Sequence, residues 1–210
     1  MKSYKQTELG VIPADWDVAP LSELCDIATG NTPPTSNKDY YGDDYLFVSP
    51  ADLGSLKYII QTSKRLSSLG FAISRKYPSN SILFTCIGST IGKCGITTSI
   101  ATSNQQINAV FPSQFINHEY LYYQLVKIAP QIKVRAGEQA VPIVNKTEFG
   151  TTIIPVPDMF EQKAIATILS DMDLEIGAIE TKLIKARQLK QGMMHELLTG
   201  KIRLIDKGNT

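Results

Sequence analysis

The stretch TCIGSTIGKCG, residues 85–95, ends a run of small residues in Gly92-Lys93, the pair that closes many phosphate-binding loops. Such a loop needs G-x-x-x-x-G-K-[ST], so that backbone N–H groups surround the phosphates and a hydroxyl binds Mg²⁺. Here the first glycine would fall at Ile87, the nearest one, Gly88, is one residue too close, and Cys94 replaces the hydroxyl. Nucleotide binding is not expected. NTPPT (31–35) approaches the N-P-P-[YF] loop of amino-methyltransferases, but Thr32 interrupts it and no aromatic follows. PDMFEQK (157–163) approaches a P-D…E-x-K nuclease metal site, yet Asp158 and Glu161 stand one helical turn apart, where a capping box accounts for both. His118 and His195 read as surface or interface side chains, and no nucleophile–base–orienter set can be assembled. Cys25, Cys86 and Cys94 lack C-x-x-C spacing, so they read as reduced, partly buried thiols of a cytoplasmic protein. The chain is expected to catalyse nothing alone and to hold no metal or cofactor.

Binding chemistry is better represented. The formal net charge of +1 conceals a strong division along the chain. Residues 1–52 carry three Lys/Arg against nine Asp/Glu, a balance of −6. Residues 53–147 carry ten against two, or +8, and residues 148–210 carry eight against nine, or −1. The basic set is Lys57, Lys64, Arg65, Arg75, Lys76, Lys93, Lys127, Lys133, Arg135 and Lys146. Such a span can supply a polyanion-binding face.

These residues need a scaffold, and the sequence suggests two parts. Residues 1–157 mix short apolar runs with turn signals: 45–50, 57–60, 81–88, 94–98, 107–112 and 151–157 suit strands. Residues 119–133 have helical spacing, and GNTPPTSNKDYYGDD (30–44) should be an exposed loop. This is an α+β pattern. From 158 to 200 there is no proline, Asp158 can open a helix and Gly200 can close it. Ile165, Ile168, Met172, Ile176, Ile179, Leu183, Ala186, Leu189, Met193 and Leu197 step by three or four residues and form one apolar stripe. A helix of that length spans about 60 Å and needs a partner helix, hence an expected coiled coil. Residues 201–210 form a polar tail that looks like a natural end. No apolar run reaches the eighteen or so residues of a membrane span, and the polar N-terminus lacks the apolar core of a signal peptide.

With these pieces in place, nearly the whole chain resembles the specificity subunit of type I restriction–modification enzymes. TELGVIPADWDVAPLSEL (7–24) is similar to the start of that family's target recognition domain. ILFTCIGSTIGKCGI, ATSNQQINAVFP and EYLYYQL resemble its middle, and IIPVPDMFEQKAIATIL with KQGMMHELLTGKIRL resembles the two ends of its helical region. The resemblance implies a globular recognition domain followed by a long helix that pairs antiparallel with a second one. A complete subunit has two of each, and this chain has one, so it looks like a half-subunit.

The resemblance further implies double-stranded DNA as partner, with a bipartite target read by two recognition domains. Two copies, or this chain and a different half-subunit, would pair through their helices. Half-site centres would then lie one to two DNA turns apart. Modification subunits would bring S-adenosylmethionine, and a restriction subunit would bring ATP and Mg. Candidate phosphate contacts are Lys57, Lys64, Arg65, Lys93, Arg135 and Lys146. Asn104, Gln105 and Gln106 could read adenine and Arg135 guanine, while Ser89, Thr90, Lys38, Tyr40 and Tyr41 could reach bases or backbone. Asn104–Gln106 could equally hold a turn through their own side chains. Two other classes stay open on sequence: a coiled-coil interaction module with an incidental basic span, and a nucleotide-dependent enzyme.

Overall fold

The structure is a computed structural model that describes residues 3–137 and 141–205. Its strands are β1 (Tyr4–Thr7), β2 (Gly10–Pro13), β3 (Asp17–Pro20), β4 (Cys25–Thr29), β5 (Tyr41–Val48) and β6 (Tyr58–Ile59). They continue with β7 (Lys64–Leu66), β8 (Ile82–Thr85), β9 (Cys94–Thr97), β10 (Thr102–Ser103), β11 (Ile107–Pro112) and β12 (Ile153–Val156). The helices are α1 (Leu21–Leu24), α2 (Ser68–Ile73), α3 (His118–Arg135), α4 (Lys146–Gly150) and α5 (Met159–Leu198).

A five-stranded sheet in the order β4-β11-β8-β9-β6 is the scaffold, antiparallel except for the β9–β6 pair. Alternate side chains on its central strands enter two different cores, as the pleat requires. Ile82, Phe84, Ile96 and Val110 meet Tyr120, Leu121, Leu125, Ile128 and Ile132 of α3, with Phe149 and Ile154 closing that layer. Leu83, Ile107 and Ala109 point the other way, onto Leu46 and Val48 of β5, Leu53, Ile59 and Tyr77. Both faces of the sheet are therefore covered, which explains why β8 and β9 read as unbroken apolar or small runs. A three-stranded sheet, β10-β5-β7, the β1-β2 hairpin and the long-range antiparallel pair β12-β3 complete the unit. The α+β expectation and the six expected strand segments match the observed elements.

Two boundaries differ from expectation. Residues 30–44 are not one exposed loop: Gly30 and Pro33 are buried, Lys38–Tyr40 form a 3₁₀ turn, and β5 begins at Tyr41. The strand continues because Gly42, Asp43 and Asp44 bulge outward, so that Tyr41 and Tyr45 both pair with Leu66. The chain also divides into compact units Met1–Ala166 and Thr167–Thr210, so the globular part extends past 157 into the first two turns of α5. Those turns are held by chemistry rather than by propensity alone. Asp158 Oδ1 accepts the Glu161 N–H at 2.9 Å, the forward half of the expected capping box. Glu161 turns its carboxylate to Trp16 Nε1, also at 2.9 Å. Ala166 is buried and Ile165 is half-buried against the domain core.

The second unit is the rest of α5 with its exit. Gly200, at φ +72°, ends the helix as expected, and its N–H reaches Leu197 O at 3.2 Å. Residues 206–210 of the expected polar tail lie outside the described residues. Among the described residues, no helix is long and apolar enough to cross a membrane.

Candidate nucleic-acid interface

Three connections meet at one rim of the five-stranded sheet. Thr29 pairs with Asn108, Ile107 with Thr85, and Phe84 with Cys94, so the end of β4, the start of β11, the end of β8 and the start of β9 share that rim. Hydrogen bonds knit the connections together. Gly30 N–H donates to Ile107 O, Asn31 N–H to Ser103 O and Cys86 N–H to Gln106 O, at 3.0, 3.0 and 2.8 Å. Gly88 N–H reaches Pro142 O at 2.9 Å, and Thr32 Oγ1 donates to Gln105 Oε1 at 2.6 Å. The rim is polar on a rigid base, an arrangement suited to binding.

The glycine-rich loop is part of this rim, as the turn between two antiparallel strands. Gly88 and Gly92 have φ of +91° and +99°, conformations costly for other residues. A Cβ on Gly92 would lie 3.0 Å from Ala129 Cβ, so the loop also packs closely on α3. The N–H groups of Gly88, Ile91, Gly92 and Lys93 all donate to carbonyls of this chain. A phosphate cradle would need such groups free and a helix following the loop. Ser89 is exposed and Thr90 half-buried at the tip.

Asn104, Gln105 and Gln106 divide their roles. Asn104 Oδ1 accepts the Gln106 N–H at 3.1 Å, and its amide donates to Gln106 Oε1 at 2.9 Å, so these two hold the turn. Gln105 is exposed beside Thr32. Further along, Tyr41 Oη donates to Pro33 O at 2.8 Å, joining the 30–37 segment to β5. Thr35, Tyr41, Thr62, Lys64 and Arg65 line one open cleft there. Arg65 is oriented by donating to Asp43 O and Asp44 O at 2.6 and 2.8 Å. Lys38 is exposed on the 3₁₀ turn, and Tyr40 is half-buried with its carbonyl accepting the Ser67 N–H.

The remaining candidates are not gathered at this rim. Lys57 Nζ lies 3.2 Å from Glu119 Oε1 and 3.3 Å from Tyr123 Oη, with its charge also over the Tyr58 and Tyr123 rings. Its ammonium therefore ties β6 to the start of α3. Lys93 lines a groove with Gly54, Tyr122, Val126 and Lys133. Arg135, at the end of α3, donates to Thr152 Oγ1 at 3.2 Å, and Lys146 is exposed at the start of α4. Sequence reasoning missed Asn31, Thr32, Thr35 and the positioning of Arg75. Arg75 donates to Thr29 O, and its N–H reaches Asn31 Oδ1 at 2.7 Å. NTPPT carried a signal for this site through its Asn, Thr and Pro turn residues.

Burial pushes the thiols of Cys25, Cys86 and Cys94 up to about 12, and all three are free and buried. Among the described residues no group of three or more His, Cys, Asp or Glu side chains could hold a metal ion.

The model of the type I restriction modification DNA specificity domain matches residues 13–187. The chain belongs to this family. The MjaIX specificity subunit of Methanocaldococcus jannaschii is 31% identical over 176 residues, covering 81% of this chain and 40% of the relative. The HindI specificity subunit of Haemophilus influenzae is 30% identical over 201 residues, covering 91% and 42%. The HsdS subunit from Thermoanaerobacter tengcongensis has the same fold, with a TM-score of 0.65 at 18% identity over 95% of this chain and 48% of that one. A chain in a structure of a type I R-M system gives a TM-score of 0.71 at 20% identity, covering 88% and 46%. This specificity domain thus spans less than half the length of the curated relatives it matches. Both curated relatives are named as specificity subunits of type I restriction enzymes.

Along α5 the specificity domain shows its expected stripe. Ile168, Met172, Ile176, Ile179, Leu183, Leu189 and Met193 are between 42% and 68% exposed. Ala186 is exposed as well, and Leu197 is half-buried. Ile165 differs, since it packs on the core of the globular unit.

Proposed function

We propose that this chain is a DNA-reading half of a type I specificity subunit, with one recognition domain that reads one half-site of a bipartite target. The observation that carries the reading is the exposed apolar stripe of α5. Full burial of a leucine or isoleucine is worth about 1.5–3 kcal/mol, and these side chains forgo roughly half of it, a loss that a partner helix along the stripe recovers. Pairing with a second copy or another half-subunit supplies the second reader and the second helix. The rim formed by residues 30–37, 86–92 and 104–106, with the Tyr41, Lys64 and Arg65 cleft, is the surface proposed to face DNA. In this reading Gln105, Thr32 and Ser89 would meet base edges, and Lys64 and Lys38 would meet phosphates.

Chemistry is assigned to partners. Modification subunits would dock on the paired helices and recognition domains, bring S-adenosylmethionine and methylate an adenine flipped from the duplex. A restriction subunit would add ATP- and Mg-dependent translocation and cleavage. Purified chain mixed with DNA and S-adenosylmethionine is expected to bind DNA and transfer no methyl group; turnover by the chain alone overturns the division of labour. The competing reading, a helix-mediated protein-interaction module, predicts DNA affinity that is weak and without sequence preference. Titrating affinity against salt on mixed duplex sequences separates the two, because a reader adds a sequence-dependent term to the steep salt dependence of phosphate contact.

A further inference from the structure

Between α3 and the end of the glycine-rich loop lies an open groove of about 450 Å³. A volume of this order suits a small ligand or a short stretch of peptide. The floor is apolar: Ile91, Val126, Ala129 and the half-buried Tyr122 line it, with Val126 44% exposed. Two cations stand over that floor, Lys93 from the loop and Lys133 from α3, and no aspartate or glutamate lines the groove.

The Lys93 side chain is held in place along its stem. Gly54, at φ +88°, lets it pass so closely that a Cβ there would sit 3.2 Å from Lys93 Cγ. Neither Lys93 nor Lys133 has an ion-pair or hydrogen-bond partner for its ammonium among the described residues. The helix wall adds a third feature. Pro130 lies inside α3 and has no N–H, so Val126 O, one turn back, loses its helical donor, and both residues line the groove. The occupant should therefore bring an apolar group for the floor, an N–H for Val126 O and anionic groups for two ammonium ions. A phosphodiester backbone meets only the last of these demands. An acidic peptide meets all three, and its charge complements the groove.

We propose that this groove binds an extended acidic peptide segment of a partner protein. An aliphatic or aromatic side chain of the segment fills the floor, flanking carboxylates meet Lys93 and Lys133, and a backbone N–H meets Val126 O. The site is independent of half-subunit pairing, because α5 contributes no residue to it.

The test uses the full chain and the fluorescence polarisation of a labelled octapeptide, DDELFEDD. At low salt it should bind about tenfold more tightly than the neutral NNQLFQNN or the anchorless DDEGSEDD. Lys93→Glu/Lys133→Glu should weaken its binding about tenfold and transfer the preference to KKKLFKKK. Val126→Glu, on the floor, should weaken it too. All three positions are exposed, so thermal melts should be unchanged. DNA affinity should also survive the double reversal. Three results overturn the inference: no saturable binding of the acidic peptide up to about 1 mM, equal binding of the anchorless peptide, or peptide affinity indifferent to the double reversal. A double reversal that instead lowers the salt slope of DNA affinity by about two assigns the groove to phosphates and overturns it as well.

Discussion

Gln162, in the first turns of α5, accepts the backbone N–H of Asn117 through Oε1 at 2.8 Å, and Asn117 caps α3 by accepting from Glu119 and Tyr120. Gln162 also donates to Phe115 O at 3.1 Å and Pro157 O at 2.9 Å, while only 1% exposed. One buried amide thus seats the start of the long helix on the cap of another. Gln162→Leu would leave one N–H and two carbonyls without that partner. Chemical denaturation should show a loss of about 2–4 kcal/mol. A loss below about 0.5 kcal/mol would mean that the seat is held by packing alone.

Gly92 carries a second structural demand, with φ of +99° and Ala129 at the position where a Cβ would enter. Gly92→Ala should cost about 1–2 kcal/mol from the backbone conformation alone. Gly137 also has positive φ but has nothing within 4 Å of a built Cβ. Gly137→Ala should therefore cost less than Gly92→Ala in paired thermal melts, and equal costs would refute the close approach of the loop to α3.

Glu119 supplies a pH signature. Burial works to raise its pKa, but hydrogen bonds from Tyr58 and Lys57 and the Lys57 charge outweigh it and leave the value below 4.5. The unfolded chain then binds the proton more readily than the folded one. The contribution is full above the unfolded value and disappears as pH falls through the folded one. After solvent screening, Glu119→Gln should cost about 0.5–1 kcal/mol at pH 7, with the gap to wild type closing below about pH 4. A constant gap across that range would contradict the ion pair. Lys57→Met should mimic the loss of stability and leave the salt dependence of DNA binding unchanged.

Lys64 and Gln105 separate positioning from reading. Lys64→Ala should lower the slope of log affinity against log salt by about one, equally on all sequences. Gln105→Ala should leave that slope alone, cost about 1–3 kcal/mol on the preferred site and relax the preference at one base pair. If both variants behave alike, the rim does not face the grooves.

Much of the fold was legible because its signals were local. Ile107–Pro112 was readable from its apolar run, α3 from the spacing of Leu121, Leu125 and Ile128, and α5 from its stripe and Gly200. What stayed hidden depended on contacts far apart in sequence. Nothing near Lys57 announces Glu119 and Tyr123, which lie 62 and 66 residues away. Thr32 and Gln105 are 73 residues apart and become neighbours only when β4 and β11 pair. The bulge at Gly42–Asp44 hid a strand, because its residues favour turns and only Arg65, reaching their carbonyls, reveals why the strand passes through them.

Selection of bound duplexes from a randomised pool addresses the half-site reading most directly. The chain should enrich one short sequence repeated in inverted orientation, its two copies separated by a fixed spacer of unrestricted sequence one to two DNA turns from centre to centre. Enrichment of a single uninterrupted, asymmetric sequence would contradict the paired-reader arrangement.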